Sequence, residues 1–162
     1  MDTIYFCKTN PNARIPTKRD YDLYACFDSN ELILPTGKVS LIPTGIASVF
    51  DSKYRIAFRE RGTNTTSGLI VMAGQIDSGY RGEYFVALLN TNDCPVVINK
   101  YSDNIHRSYG EKGSKISFPY SKAICQFAVE YVPVVNVKEI TLEELLNCKS
   151  ERMFGKLGSS NK

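Results

Sequence analysis

Seven short stretches rich in β-branched and aromatic residues recur along the chain: DLYACF (22–27), KVSLI (38–42), IASVF (46–50), YRIAF (54–58), EYFVALL (83–89), PVVIN (95–99) and AICQFAVEYV (123–132). Each is bounded by Pro, Gly, Asn or Asp, residues that break or turn a strand. Strands this short and this regularly interrupted leave almost no length for helices and predict an all-β sandwich or barrel. The one helix signal is ITLEELLNC, where Thr141 and Glu144 have capping-box spacing ahead of a leucine pair. Two regions read as irregular, 99–118 and the tail 149–162, where glycines and hydroxyl residues cannot build a core of their own.

A chain of 162 residues is about one domain's worth. Its 20 Lys and Arg against 17 Asp and Glu leave a net charge of +3, with no block of like charge able to track a phosphate backbone. Nucleic acid is therefore not the expected partner. The N-terminal residues lack the basic-then-apolar order of a secretion signal, and no apolar run approaches the ~20 residues of a membrane span. A cytoplasmic protein is expected, with no membrane partner. The five cysteines stand singly without CxxC spacing and read as reduced, buried thiols. His106 is the only histidine, so a His-rich metal site is excluded and any histidine triad would need this one residue. The H-x-E and P-C-x-x-C pair of zinc deaminases and the Walker A motif are both missing.

The stretch AGQIDSGYRGE (73–83) sets Asp77, Tyr80 and Arg81 together between two apolar segments. A carboxylate held at a tight turn can serve as a general base toward a positioned water. In the tail, Arg152, Gly155, Gly158, Ser159 and Ser160 supply an arginine, freed backbone N–H groups and hydroxyls, which a segment closing over phosphate requires. A disordered terminus and a closing arm are both open on composition.

Taken together, these segments resemble the dUTP diphosphatases (dUTPases) of the homotrimeric, all-β jelly-roll type. AGQIDSGYRGE is similar to the family's third motif, G-x-I-D-x-x-Y-R-G; DYDLYA (20–25) resembles the first, RERGT (59–63) the second, SKAICQF (121–127) the fourth and RMFGKLGSS (152–160) the fifth. The resemblance implies a distorted jelly-roll sandwich over 1–148 with one short C-terminal helix, an inserted segment at about 93–119, and a flexible C-terminal arm, 149–162. It implies hydrolysis of dUTP to dUMP and pyrophosphate with Mg²⁺. Asp77 would activate the water, and Arg152 would arrive with an arm borrowed from another protomer. Tyr80 would pack under the deoxyribose. The main chain at Val71, Gly74, Gln75, Ile76 and Phe85 would line the uracil. Arg61, Gly62, Thr63 and Gln126 would hold phosphate, and Leu157, Gly158 and Ser159 would close over the nucleotide. Asp22 would reach the metal through water, with Asp20 as the competing carboxylate.

The departures from the family motifs are local. Arg19-Asp20 replace Ala-Gly in motif one, and Tyr120-Ser121-Lys122 replace Gly-Asp-Arg in motif four. In motif two, Glu60-Arg61-Gly62 keep the usual distance to Asp77, whereas a one-residue shift aligns Arg61 with the family arginine. The shift is preferred because a glutamate would repel phosphate. The insertion is reminiscent of dUTPases of phages of Gram-positive bacteria, some of which bind regulatory proteins. Two alternatives accompany the hydrolase: a regulatory trimer on the same fold, non-catalytic or dual-function, and a relative of dCTP deaminase. Leu157 stands where a phenylalanine commonly stacks on uracil, and base–aromatic stacking is worth roughly 1–3 kcal/mol. Leu157→Phe is accordingly expected to lower the KM for dUTP several-fold in steady-state assays; an unchanged KM would place the tail elsewhere.

Overall fold

The computed structural model describes residues 2–17, 21–110 and 113–149. In chain order the elements are β1 (Tyr5–Lys8), β2 (Asp22–Tyr24), β3 (Glu31–Leu34), β4 (Val39–Pro43), β5 (Ile46–Val49), β6 (Tyr54–Arg59), α1 (Gly62–Thr66), β7 (Leu69–Met72), β8 (Gln75–Asp77), β9 (Phe85–Asn90), β10 (Val96–Asn99), β11 (His106–Gly110), β12 (Gly113–Pro119), β13 (Ala123–Tyr131) and α2 (Leu142–Asn147). The fold is an all-β sandwich, as the punctuated sequence predicts, of the jelly-roll type that the family resemblance implies.

Four small sheets share one core: β1-β5, β11-β12-β10-β3, β2-β13-β6-β8 and β4-β9-β7. Alternation along each strand decides which side chains enter it. Ile56 and Phe58 of β6, Leu23 of β2 and Phe127 of β13 meet Leu34, Ile98 and Phe118 from the second sheet and Ile42, Val86 and Leu88 from the fourth. Burying a side chain of this kind stabilises the fold by roughly 1.5–3 kcal/mol.

All seven anticipated stretches contain strands, although DLYACF is extended only over Asp22–Tyr24. The helix also forms as expected. The Thr141 hydroxyl accepts the Glu144 N–H at 3.2 Å, and the Glu144 carboxylate accepts the Thr141 N–H at 2.7 Å.

Four expectations are corrected. The region 99–118 is not irregular: β11 and β12 form an antiparallel ladder within it, and β12 runs parallel to β10, with Val96 opposite Ile116 and Ile98 opposite Phe118. Its strands escape notice because only Ile116 and Phe118 of the twelve paired positions bring large apolar groups to the core, so most of the segment reads as polar loop. A second helix, α1, occupies motif two. The apolar stretches LIVMAGQI (69–76) and EYFVALL, expected to pair as a hairpin across the Ser78-Gly79 turn, do so only in part: Leu69–Met72 lie against β9, while Gln75–Asp77 cross to β6. Lastly, Cys26, Cys94 and Cys125 are buried thiols, but Cys7 and Cys148 are exposed.

The crossing from β7 to β8 is sharp. Ala73 takes φ +47°, a left-handed conformation that costs a non-glycine residue roughly 1–2 kcal/mol. Gly74 then lies directly against β6. Its carbonyl accepts the Phe58 N–H at 2.6 Å, and a Cβ there would stand 2.8 Å from the Phe58 Cβ and 3.0 Å from its carbonyl oxygen. Gly74→Ala must push β8 away from β6 and is expected to destabilise the chain by about 1–3 kcal/mol. Thermal unfolding should register this as a midpoint several degrees lower.

Candidate active site

The β2-β13-β6-β8 sheet collects most of the candidate polar residues on its outward face. Cross-strand register sets them in rows: Asp22, Gln126 and Arg59 in one; Ala128, Ala57 and Gln75 in the next; Glu130, Arg55 and Asp77 in the third. The intervening residues, Leu23, Phe127, Phe58, Val129 and Ile56, point to the other side. One ladder therefore carries core on one face and titratable chemistry on the other.

At one end of this face the polar groups of motifs one, two and four meet. Asp22, which is buried, pairs through Oδ1 with Nε of Arg61 at 3.2 Å. Gln126 donates its amide to the Glu60 carbonyl at 3.2 Å. Arg61 is the N-cap of α1, and Gly62 and Thr63 open the helix behind it. Asn64 holds the turn from inside: fully buried, it accepts the Arg61 N–H at 3.0 Å and donates to the Ile124 carbonyl at 2.7 Å. The Glu60 carboxylate turns away from Arg61 and accepts the Val71 N–H at 3.2 Å. The buried Cys125 thiol lies behind the cluster, where burial first, then the nearby Asp22 and Glu60 charges, push its pKa up; it stays protonated and inert.

The stretch around Asp77 is built differently. Asp77 is exposed at the end of β8 and accepts the Gln75 side-chain amide at 3.1 Å. The chain then bends back: the Tyr80 N–H donates to the Asp77 carbonyl at 3.0 Å, and the Tyr80 hydroxyl donates to the Glu83 carbonyl at 3.0 Å. Gly82 makes this fold-back possible, since a Cβ there would sit 2.5 Å from the Tyr80 hydroxyl. Arg81 is spent on the turn, donating to the carbonyls of Ser78 and Tyr80. The Glu83 carboxylate anchors the bend to the Gly45 N–H at 2.9 Å and the Thr9 hydroxyl at 3.0 Å. Tyr80 lies nearly parallel to the buried Tyr84, ring centres 6.5 Å apart. Burial raises the Tyr84 phenol's pKa, and its hydroxyl bonds Ser48.

Of the residues expected from sequence, Asp22, Arg61, Gly62, Thr63 and Gln126 form one group. Gly74, Gln75, Ile76, Asp77 and Tyr80 belong to a second, along β8 and the turns at its ends, while Phe85 opens β9 in another sheet. Val71 is tied to the first through Glu60. Three strand spacings separate β2 from β8, about 14 Å, and the rows of Asp22 and Asp77 lie four residues apart along β6, about 13 Å more. Within one chain the two groups do not meet. Arg152, Leu157, Gly158, Ser159 and the competing Asp20 lie outside the described residues. Sequence reasoning gave Asn64, Arg55 and Glu130 no place in the site and weighed Glu60 only as a charge that would repel phosphate; only the register of β6 against β13 and β8 could have set Arg55 and Glu130 in one row with Asp77.

Among the described residues no three His, Cys, Asp or Glu groups converge as a metal cage. The donor set offers Mg²⁺ one buried carboxylate, Asp22, already paired with Arg61. That fits an ion carried mainly by phosphate oxygens and water.

A jelly roll with a motif-three turn of this kind defines a class of nucleotide-binding β proteins, and comparison with known proteins resolves it further. The family model for dUTPase matches residues 8–103. A deoxyuridine 5'-triphosphate nucleotidohydrolase of Gloeobacter violaceus is 31% identical over 157 residues, covering 95% of this chain and 90% of the relative. Among solved structures, a variant of the Staphylococcus bacteriophage 80alpha dUTPase with dUpNHpp superposes with a TM-score of 0.71 at 20% identity, covering 98% of each chain. A variant dUTPase from phage phi11 of S. aureus, described as revealing the coordination of a structural Mg(II) ion, gives 0.64 at 16% identity, over 85% of this chain and 96% of that one. The chain belongs to the dUTPase family.

Proposed function

We propose that this chain, a dUTP diphosphatase by family, cleaves dUTP to dUMP and pyrophosphate with the Asp77 carboxylate orienting and deprotonating the water that attacks the α-phosphorus. The observation that carries this reading is Asp77 itself: an exposed carboxylate at the end of a strand, its orientation fixed by a neighbouring amide, beside a tyrosine folded back against the same turn. An ordinary Asp is only weakly basic, so positioning must supply most of the effect. The Tyr80 ring face rejects a ribose, because a 2'-hydroxyl pressed on it would lose hydrogen bonds to water at a cost of roughly 1–3 kcal/mol. Main-chain groups between Val71 and Phe85 read the uracil edge. Arg61, held by Asp22 and by the α1 turn, binds phosphate oxygens with Thr63 and Gln126. Arg152 brings its planar fork to the same oxygens when the arm closes. Mg²⁺, when bound, neutralises triphosphate charge, with Asp22 reached through its waters.

The active unit is a homotrimer in this reading. The separation of Asp77 from the Arg61 group supports it, because one triphosphate cannot span both within a chain. So does the β4-β9-β7 sheet, which is apolar on both faces. Its inner residues join the core, while Val39, Leu41, Ile70, Met72 and Phe85 stand exposed on the outer one, Leu41 at 65%. A contiguous apolar face marks an interaction surface. The exposed valines at 134, 135 and 137 extend the same argument to the stretch between β13 and α2. At the 93–119 segment, Tyr101 and Tyr109 are 74% and 78% exposed, which supports a protein-binding role there beside the enzyme's own.

No helix among the described residues is long and apolar enough to cross a membrane.

Incubation with dUTP, dTTP, dCTP, dATP and UTP in the presence of Mg²⁺ should release stoichiometric pyrophosphate from dUTP alone, and Asp77→Asn should lower kcat by at least about 100-fold. Full turnover in Asp77→Asn would overturn the assignment of the base, and ammonia from dCTP would point instead to a deaminase. Sedimentation should give three times the 18.2 kDa chain mass. Leu41→Lys, which places a charge in the middle of the apolar face, should shift the protein toward smaller species.

A further inference from the structure

We propose that Gln75, Arg55 and Glu130 are positioning residues that set the Asp77 carboxylate through an ordered chain of hydrogen bonds. This rests on the reading of Asp77 as the base, and adds how the carboxylate is aimed. Glu130, Arg55 and Asp77 occupy one cross-strand row over β13, β6 and β8, so Arg55 stands between two carboxylates. Its Nε donates to Glu130 Oε2 at 2.7 Å, and the other Glu130 oxygen is taken by Arg59. Those two guanidinium bonds, Arg55 first, hold the Glu130 carboxyl below the usual carboxylate range. Arg55 therefore stays with Glu130 rather than collapsing onto Asp77, and its Nη1 reaches Gln75 Oε1 at 3.3 Å. Gln75 Nε2 in turn donates to Asp77 Oδ1 at 3.1 Å.

The donor and acceptor inventory gives this chain a direction. A guanidinium only donates and an ionised carboxylate only accepts. Gln75 lies between one of each, so only one orientation of its amide satisfies both neighbours. Arg55 thereby fixes which end of Gln75 faces Asp77. Gln75 and Asp77 are two residues apart and share a face of β8, and the small Ala57 opposite Gln75 leaves room for the long Arg55 side chain to lean across. No side chain of this relay other than that of Asp77 needs to touch substrate.

A positioning role separates from a binding or purely structural one in steady-state kinetics with dUTP. Gln75→Leu and Arg55→Met are each expected to lower kcat about ten-fold with KM within about two-fold, since misaiming a reacting group falls on the chemical step. The double variant should be no slower than either single one, because residues acting as a unit are not additive. Arg55→Lys, which keeps the charge but lacks the fork, should lose kcat like Arg55→Met and serves where the methionine variant fails to fold. Unchanged kcat in Gln75→Leu, a raised KM with kcat intact, or losses that multiply in the double variant would each overturn the proposal. Asp77→Asn, assayed alongside, separates the outcomes: full activity there removes the base itself, whereas inactivity there with an unaffected Gln75→Leu removes only the positioning chain.

Discussion

The pairing of β6 with β13 is the constraint on which the rest of the structure depends. Six consecutive cross-strand pairs, from Gln126–Arg59 to Tyr131–Tyr54, lock the register of two strands distant in sequence. A slip of one residue would turn every inward side chain out. In register, Ile56, Phe58 and Phe127 enter the core and Arg55, Arg59, Gln126 and Glu130 face out. β2 then adds to the free edge of β13 and β8 to that of β6. Both candidate carboxylates, Asp22 and Asp77, are thus placed by edge strands that borrow their register from this central pair.

The charges on the outward face are arranged so that each cation has a prescribed partner. Glu130 occupies both Arg55 and Arg59, and Asp22 occupies Arg61. The two Glu130 pairs are partly solvent-exposed, where an ion pair contributes little to stability, whereas Asp22 in the third is buried. Their value lies in orientation. Glu60, which would oppose phosphate binding if it faced the Arg61 group, is diverted to the Val71 N–H. The unusual glutamate of motif two thereby becomes a tie between the α1 turn and β7.

Much of this architecture was legible in the sequence, and the exceptions have physical causes. The strands with strong apolar alternation were found because their pattern records burial directly. β11 and β12 were hidden because their outer positions are polar, and β8 because three residues carry no period. The capping box of α2 is a local signal, readable without tertiary context. α1 is set by the buried Asn64, whose partner at Ile124 lies sixty residues away, so no local pattern announces it. The family motifs single out Asp22, Arg61, Asp77 and Gln126 as candidates, yet the link from Asp77 to Glu130 depends on strand register, which spacing along the chain does not encode.

Asn64 also begins the tripeptide Asn64-Thr65-Thr66, which has the form of an N-linked glycosylation acceptor. In the folded protein its amide nitrogen is committed to the Ile124 carbonyl and the residue has no surface at all. A sugar could join that nitrogen only before the chain folds, and afterwards the motif-two turn could not close around it. Were this chain routed through a eukaryotic secretory pathway for expression, carbohydrate transfer and folding would compete for the same atom, and glycosylated molecules would be the misfolded ones.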